Sequence, residues 1–88
     1  MSKVTKEWDI HVHVEEDTDT THVRAELHGP AGRTLLAQGR ARRNPHDRPV
    51  VQIGEEVALA RALYMLADEL MDRADADIQT MTQQAWIQ

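Results

Sequence analysis

The hydrophobic period of this chain changes once, from two residues to between three and four, and that change decides what the chain can fold into. In "EWDIHVHVEE", which begins at Glu7, every second residue is apolar. The apolar positions are Trp8, Ile10, Val12 and Val14. Strict alternation rich in β-branched residues predicts a half-buried strand over about residues 6–15. Further along the chain, Leu59, Leu63, Leu66 and Leu70 recur at helical spacing, which predicts a helix over about residues 55–73.

Two more alternating segments lie between the first strand and the helix. After the turn-forming residues 17–20, Val23, Ala25 and Leu27 alternate with polar residues, which predicts a strand over about 21–28. "GPAG" at 29–32 is the strongest turn signal in the chain. A third strand is predicted over about 33–43. Short loops make all three strands antiparallel neighbours in a meander.

The inner face of the third strand is predicted to consist of small residues. Its inward positions are Leu35, Ala37, Gly39 and Ala41. A glycine between two alanines would let a helix approach the sheet closely. If the inward-facing residues of the three strands lie opposite one another, Val12 is expected opposite Val23, and Val23 near Gly39. The outward row at that level would then contain His13, His22 and Arg40.

The segments on either side of the helix are less regular. Pro45 and Pro49 deny backbone donors, so residues 44–53 are predicted to form a loop. Asn44 and Pro45 begin a turn there, and Asp47 either caps that turn or holds a neighbouring arginine. Beyond the helix we expect a break near 74–77 and a short helix over about 76–82. The fold class is therefore α+β, in one domain spanning 1–88 in the order β-β-β-α-α, with the long helix on one face of the sheet.

Composition excludes several classes of function. The chain has no Cys and a single Ser, Ser2, so cysteine and serine nucleophiles, disulfides and thiolate metal sites are excluded. It lacks a glycine-rich phosphate loop, which removes the basis for nucleotide binding. We therefore predict a protein that is not an enzyme, uses no cofactor and has no evident small-molecule substrate. The N-terminus lacks an apolar signal segment and no stretch is long enough to span a membrane, so we expect a cytoplasmic protein.

Three histidines form a weak candidate for a metal site. His11 and His13 share one strand face, and His22 is adjacent in the expected register. Imidazoles close to an acidic residue could bind zinc. The pattern lacks a second ligand pair at diagnostic spacing, however, so we predict no metal and interpret these residues as exposed histidines that tune the charge of the surface.

The charges are strongly segregated along the chain. The net charge is −5, yet five of the ten basic residues lie between Arg33 and Arg48. Arg40, Arg42, Arg43 and Arg48 form a compact group suited to phosphate, because a guanidinium group can bind a phosphate through two parallel hydrogen bonds. The alternative is that these arginines pair with acidic residues of the helix and the first strand, within one chain or across a dimer.

Two segments resemble a known family. "ARRNPHDRPVVQIGEEVALARAL", residues 41–63, and "DIQTMTQQA", residues 77–85, are similar to small actinobacterial proteins of a domain-of-unknown-function family with dormancy- and hypoxia-associated members. The matching motif positions are Asn44, Pro45, Asp47, Arg48, Ile53, Gly54, Arg61 and Leu63. No catalytic residue is implied by the resemblance; Gly54 and Arg61, like Asn44, Pro45 and Asp47, are read as structural.

The resemblance implies a fold, a partner and a role. It implies a small dimeric α+β domain whose shape is likened to ribosome hibernation-promoting factors and double-stranded RNA binding domains. The implied function is a stress-associated protein that contacts ribosomal RNA and quiets translation. The alternative is a homodimeric regulatory or structural protein that binds another protein and no nucleic acid.

Overall fold

The protein forms a three-stranded antiparallel sheet with one long helix across it, as the computed structural model shows for residues 2–42 and 51–86. The strands are β1 (Asp9–Glu16), β2 (Thr20–His28) and β3 (Thr34–Arg42), and the helix is α1 (Val51–Trp86). The sheet order is β1-β2-β3, which is a simple meander. The α+β class, the three strands and the helix predicted from the change of period are therefore confirmed.

A two-residue turn sets the register between β1 and β2. The Asp17 N–H donates to the Thr20 carbonyl over 3.0 Å. The Asp17 Oδ1 atom accepts hydrogen bonds from the backbone N–H groups of Asp19, at 2.9 Å, and Thr20, at 2.8 Å. This tight turn pairs Val14 with Val23 and Val12 with Ala25. The expected pairing of Val12 with Val23 is wrong by two residues, whereas Val23 does lie opposite Gly39 in β3.

The helix rests on the smallest residues of the sheet. A Cβ atom at Gly39 would collide with the backbone of Ala58 and Ala62 in α1. Gly54, a turn earlier in α1, lies against Thr21, where an added Cβ would come within 3.1 Å of the hydroxyl oxygen. The predicted close approach of a helix at Gly39 is therefore confirmed. Eight buried apolar residues form the core: Val23, Ala25, Leu27, Ala37, Ala41, Ala58, Ala62 and Leu66.

The helix is continuous where a break was predicted. It runs through residues 74–77 without interruption, so the separate short helix over 76–82 is wrong. Residues 55–86 contain no Gly or Pro, and Ala74 and Ala76 favour helix more than the neighbouring Asp75 and Asp77 oppose it. The helix also begins by Val51, so residues 51–53 are helical rather than part of the predicted loop. Residues 43–50 lie outside the described part of the chain.

The helix is longer than the sheet and covers only part of it. Its 36 residues correspond to a length of about 54 Å. It packs against β3 and β2, while β1 lies beyond it and every residue of β1 is exposed. Leu66 is the last buried residue of α1 among those described, so the C-terminal half projects past the sheet. Within residues 2–42 and 51–86, no helix has the length and hydropathy needed to cross a membrane.

Candidate phosphate-binding face

The face of the sheet opposite the helix, called the outer face below, gathers most of the basic side chains of the strands. The alternation of side chains places Arg24, Arg40 and Arg42 there together with four histidines, His11, His13, His22 and His28. Three cross-strand rows order these groups: Glu15–His22–Arg40, His13–Arg24–Gln38 and His11–Glu26–Leu36. The expected neighbour of His22 was His13; the observed one is Glu15, because of the two-residue change of register.

Arg40 and Arg42 are presented without ion-pair partners in the described part of the structure. Both side chains are exposed near the end of β3 and line an open cleft with residues 17–20 of the β1–β2 turn. The ion pairs found within residues 2–42 and 51–86 involve neither of them. Two guanidinium groups two residues apart on one strand point in the same direction, so both could contact one phosphate backbone.

The backbone that holds these arginines is attached to the helix. The Nη1 atom of Arg61 in α1 donates to the Arg40 carbonyl over 2.7 Å. β3 is an edge strand, so this carbonyl lies on the side of the sheet where a further strand would bind. Arg61 therefore fixes the end of β3 at the point from which the Arg40 side chain extends. The residue pattern alone does not reveal this contact, because the two residues are 21 positions apart.

At the other end of the outer face, charged side chains pair with one another. Arg24 Nε lies 3.5 Å from Glu26 Oε1, and His28 Nε2 lies 3.4 Å from Glu26 Oε2. The His11 ring meets the His28 ring edge-on, with 5.3 Å between the ring centroids. Glu26 thus compensates the charge of Arg24. Arg40 and Arg42, which have no ion pair within the described residues, lie at the opposite end of this face, where Glu15 shares the row of Arg40.

Two acidic residues, Asp17 and Asp19, line the cleft beside those two arginines. Hydrogen bonds from the backbone N–H groups of Asp19 and Thr20 lower the pKa of Asp17 below its usual range. Asp17 therefore remains a carboxylate into mildly acidic solution and contributes a negative charge to the rim of the cleft. The cleft is therefore acidic on the side of the β1–β2 turn and basic on the side of β3.

The remaining predicted site residues divide into two groups. Arg43, Asn44, Pro45, Asp47 and Arg48 lie outside the described residues. His11 and His13 share the outer face and His22 faces Glu15. Within residues 2–42 and 51–86 no three His, Cys, Asp or Glu side chains are grouped so that they could hold a metal ion.

This arrangement of three antiparallel strands followed by one long helix defines a small α+β protein with a histidine- and arginine-bearing outer face. The chain belongs to the Rv2632c-like family, whose pattern matches residues 6–86. It is 43% identical over 81 residues to the uncharacterised protein Rv2632c of Mycobacterium tuberculosis strain H37Rv, which covers 92% of this chain and 86% of that protein. It is 33% identical over 81 residues to the uncharacterised protein MT1780 of M. tuberculosis strain CDC 1551, over 92% of this chain and 85% of that protein.

A solved structure has the same fold. The crystal structure of Rv2632c superposes with a TM-score of 0.83 at 41% sequence identity, and the match covers 93% of this chain and 96% of that one. The small actinobacterial family of unknown function indicated by the two sequence segments is therefore confirmed, as the Rv2632c-like family.

Proposed function

We propose that this chain is a non-enzymatic cytoplasmic protein that binds structured RNA, with ribosomal RNA as its target and reduced translation under stress as the result. The observation behind the proposal is the pair of exposed arginines, Arg40 and Arg42, which have no ion-pair partner within the described residues. Arg43 and Arg48 follow in the sequence and would extend the same basic group. The resemblance given under Sequence analysis implies a shape like that of hibernation-promoting factors and double-stranded RNA binding domains, which favours the same target.

The chemistry of the outer face favours contact with the RNA backbone over base reading. Trp8 packs against Gly29, and Tyr64 lies on the helix, so neither ring is presented on the outer face. Arginine forks and histidine can contact phosphate oxygens and 2′-hydroxyl groups without reading sequence. Because the whole chain carries a net charge of −5, binding would depend on these local contacts and would weaken steeply with salt.

Ribosome pelleting over a salt series tests this proposal. We expect the wild-type protein to pellet with ribosomes at low salt and to be released as salt rises. Replacing both arginines, Arg40→Glu with Arg42→Glu, should abolish pelleting. The matched control is Arg33→Glu with Arg73→Glu, which changes the net charge equally at two exposed positions away from the cleft.

Two results would overturn the proposal. If the wild-type protein does not pellet with ribosomes at low salt, ribosomal RNA is not its target. Equal loss in both double variants shows that net charge, and not the outer face, determines the interaction. Retention by the control and loss by the Arg40 and Arg42 variant supports a phosphate-binding outer face.

A homodimeric regulatory or structural protein is the second candidate, and one observation favours it. Ile10, Val12 and Val14 form an apolar row on β1 that the helix leaves exposed. Such a row on a chain with a small core is typical of a protein–protein contact. We propose a homodimer under both functions; the second candidate predicts a dimer that ignores ribosomes and is retained by a protein partner.

A further inference from the structure

The inner face of β1 is an apolar surface that the chain itself does not cover. Ile10, Val12 and Val14 are 50%, 41% and 39% exposed, although they lie on the same face of the sheet as the buried Val23, Ala25 and Leu27. The helix lies over β2 and β3, and one helix is about as wide as two strands. A second helix beside α1 would therefore lie above β1.

The side of α1 that faces β1 is mostly apolar, apart from Glu56 and Asp77. Successive residues of a helix are about 100° apart, so Arg61 and Leu63 point to opposite sides of the buried Ala62. Arg61 reaches β3, which places Leu63 on the β1 side. Leu70 and Met81 follow Leu63 at seven and eighteen residues, close to whole numbers of turns, and thus continue the same stripe. Leu63 and Leu70 are each 39% exposed and Met81 is 71% exposed.

Leu70 and Met81 lie beyond the sheet of their own chain, because Leu66 is the last buried residue of α1 among those described. The stripe continues along the half of α1 that projects beyond the sheet, where α1 stays helical to Trp86. That projecting half, from Leu66 to Trp86, is about 30 Å long, and the eight residues of β1 span about 26 Å. The sheet lacks a helix above β1, and the projecting helix lacks a sheet beneath it.

We infer that a second copy of this chain packs against the β1 side, with the two α1 helices antiparallel along their whole length. The projecting half of each helix then lies beside the partner's α1 and above the partner's β1. The inference deepens the homodimer part of the proposed function, on which it rests, by naming the contact surface and its symmetry.

The proposed dimer has twofold symmetry, because both copies use the same surface. Rotation about an axis between the helices, near the middle of the range 51–86, places each β1 row under the other copy's helix and brings the two Leu70 side chains close together. A strip about 54 Å long and one helix wide covers roughly 600 Å² on each copy before β1 is counted. Stable interfaces bury about 600–1,000 Å² on each partner, so this surface is of sufficient size.

Sedimentation of the full chain and two variants tests the inference. We expect the wild-type protein, of 10.0 kDa, to sediment with twice that mass at about 100 μM, a concentration at which an interface of this class is occupied. Val12→Glu with Leu70→Glu should raise the dimer dissociation constant at least tenfold. Leu36→Glu is the matched control, because Leu36 is 48% exposed on the outer face and its replacement should leave the dimer intact. Circular dichroism shows whether each variant is folded.

These measurements test two claims: that the protein is a homodimer, and that the β1 side with α1 forms its contact surface. A monomeric wild type overturns both claims. A dimer that persists in the folded Val12 and Leu70 variant overturns the named interface while the homodimer stands.

Cysteine cross-linking provides a second readout that does not depend on weakening the dimer. The chain has no cysteine, so a single introduced thiol reports one position. Leu70→Cys should form a disulfide-linked dimer under mild oxidation, since residue 70 lies near the proposed axis. Tyr64→Cys, on a residue 75% exposed on another side of α1, should not. Equal cross-linking of the two variants, or none in Leu70→Cys, overturns the antiparallel arrangement.

Discussion

Gly39 is the residue on which the packing of this small protein depends most directly. The helix backbone at Ala58 and Ala62 occupies the space where any other residue would place its Cβ atom. The neighbours are backbone atoms, which cannot move aside as a flexible side chain can. The sequence indicated this contact, because a glycine between two alanines on the inward face of a strand has few other uses.

Gly39→Ala should therefore destabilise the protein although alanine is the better residue for an ordinary strand. We expect the free energy of unfolding to fall by about 1–3 kcal/mol, the usual cost of forcing an extra methyl group into a packed core. Urea denaturation followed by circular dichroism measures it. Gln38→Ala, at the exposed neighbouring position, should change stability by less than about 0.5 kcal/mol. Equal stability of the Gly39 variant and the wild type would show that the helix can shift away at no cost.

Asp17 gives a prediction about pH. The backbone N–H groups of Asp19 and Thr20 lower its pKa, so its carboxylate stabilises the folded state above the pKa of the unfolded chain, near pH 4. That contribution is lost as the pH falls through the lower folded-state pKa. Asp17→Asn keeps an oxygen acceptor but does not titrate. We expect the wild type to be the more stable protein at pH 6 and the difference to shrink towards pH 2, measured by urea denaturation at each pH; a difference that is constant with pH would contradict this explanation.

At the scale of elements, the sequence predicts which face each residue occupies better than it predicts which residues are neighbours. Alternation assigned the inward and outward sets of all three strands, and these assignments agree with the pairing. The β1–β2 register was wrong by two residues, because it depends on how Asp17 closes the turn and not on hydrophobic pattern. A slip of two keeps every side chain on its face, so hydrophobicity cannot detect it. It does change the rows, which is why His22 meets Glu15 and not His13.

The helix shows a second limit of local reasoning. Asp75 and Asp77 are typical helix-capping residues, and they suggested a new start where the helix in fact continues. What a residue pattern cannot show is the length of the sheet beneath. The stripe of Leu63, Leu70 and Met81 is the same whether the sheet underlies it or not, yet the structure shows that the sheet ends near Leu66. Exposure of that stripe is therefore a property of the fold and not of the helix sequence.

The whole molecule is elongated for its size. Its radius of gyration is 18.1 Å, whereas a compact domain of this length would have about 12 Å. The longest principal extent is 62 Å, and the projecting half of α1 accounts for much of it. The shape also separates two surfaces, because the outer face with Arg40 and Arg42 points away from the helix while the apolar β1 side lies next to it. RNA binding and dimerisation would therefore use different sides of the chain and could occur together.

Small-angle X-ray scattering of the dimer should distinguish the proposed helix pairing from pairing through the open edges of β1. Two helices that lie antiparallel over their full length leave the longest dimension of the dimer close to the 62 Å of one chain. Antiparallel pairing of the two β1 edges would place the sheets side by side and let the helices project in opposite directions, which lengthens the particle to about 90 Å. We expect the mass to double with little change in the maximum dimension. A dimer near 90 Å would instead indicate that β1 binds its partner through backbone hydrogen bonds, with the apolar row of Ile10, Val12 and Val14 still uncovered.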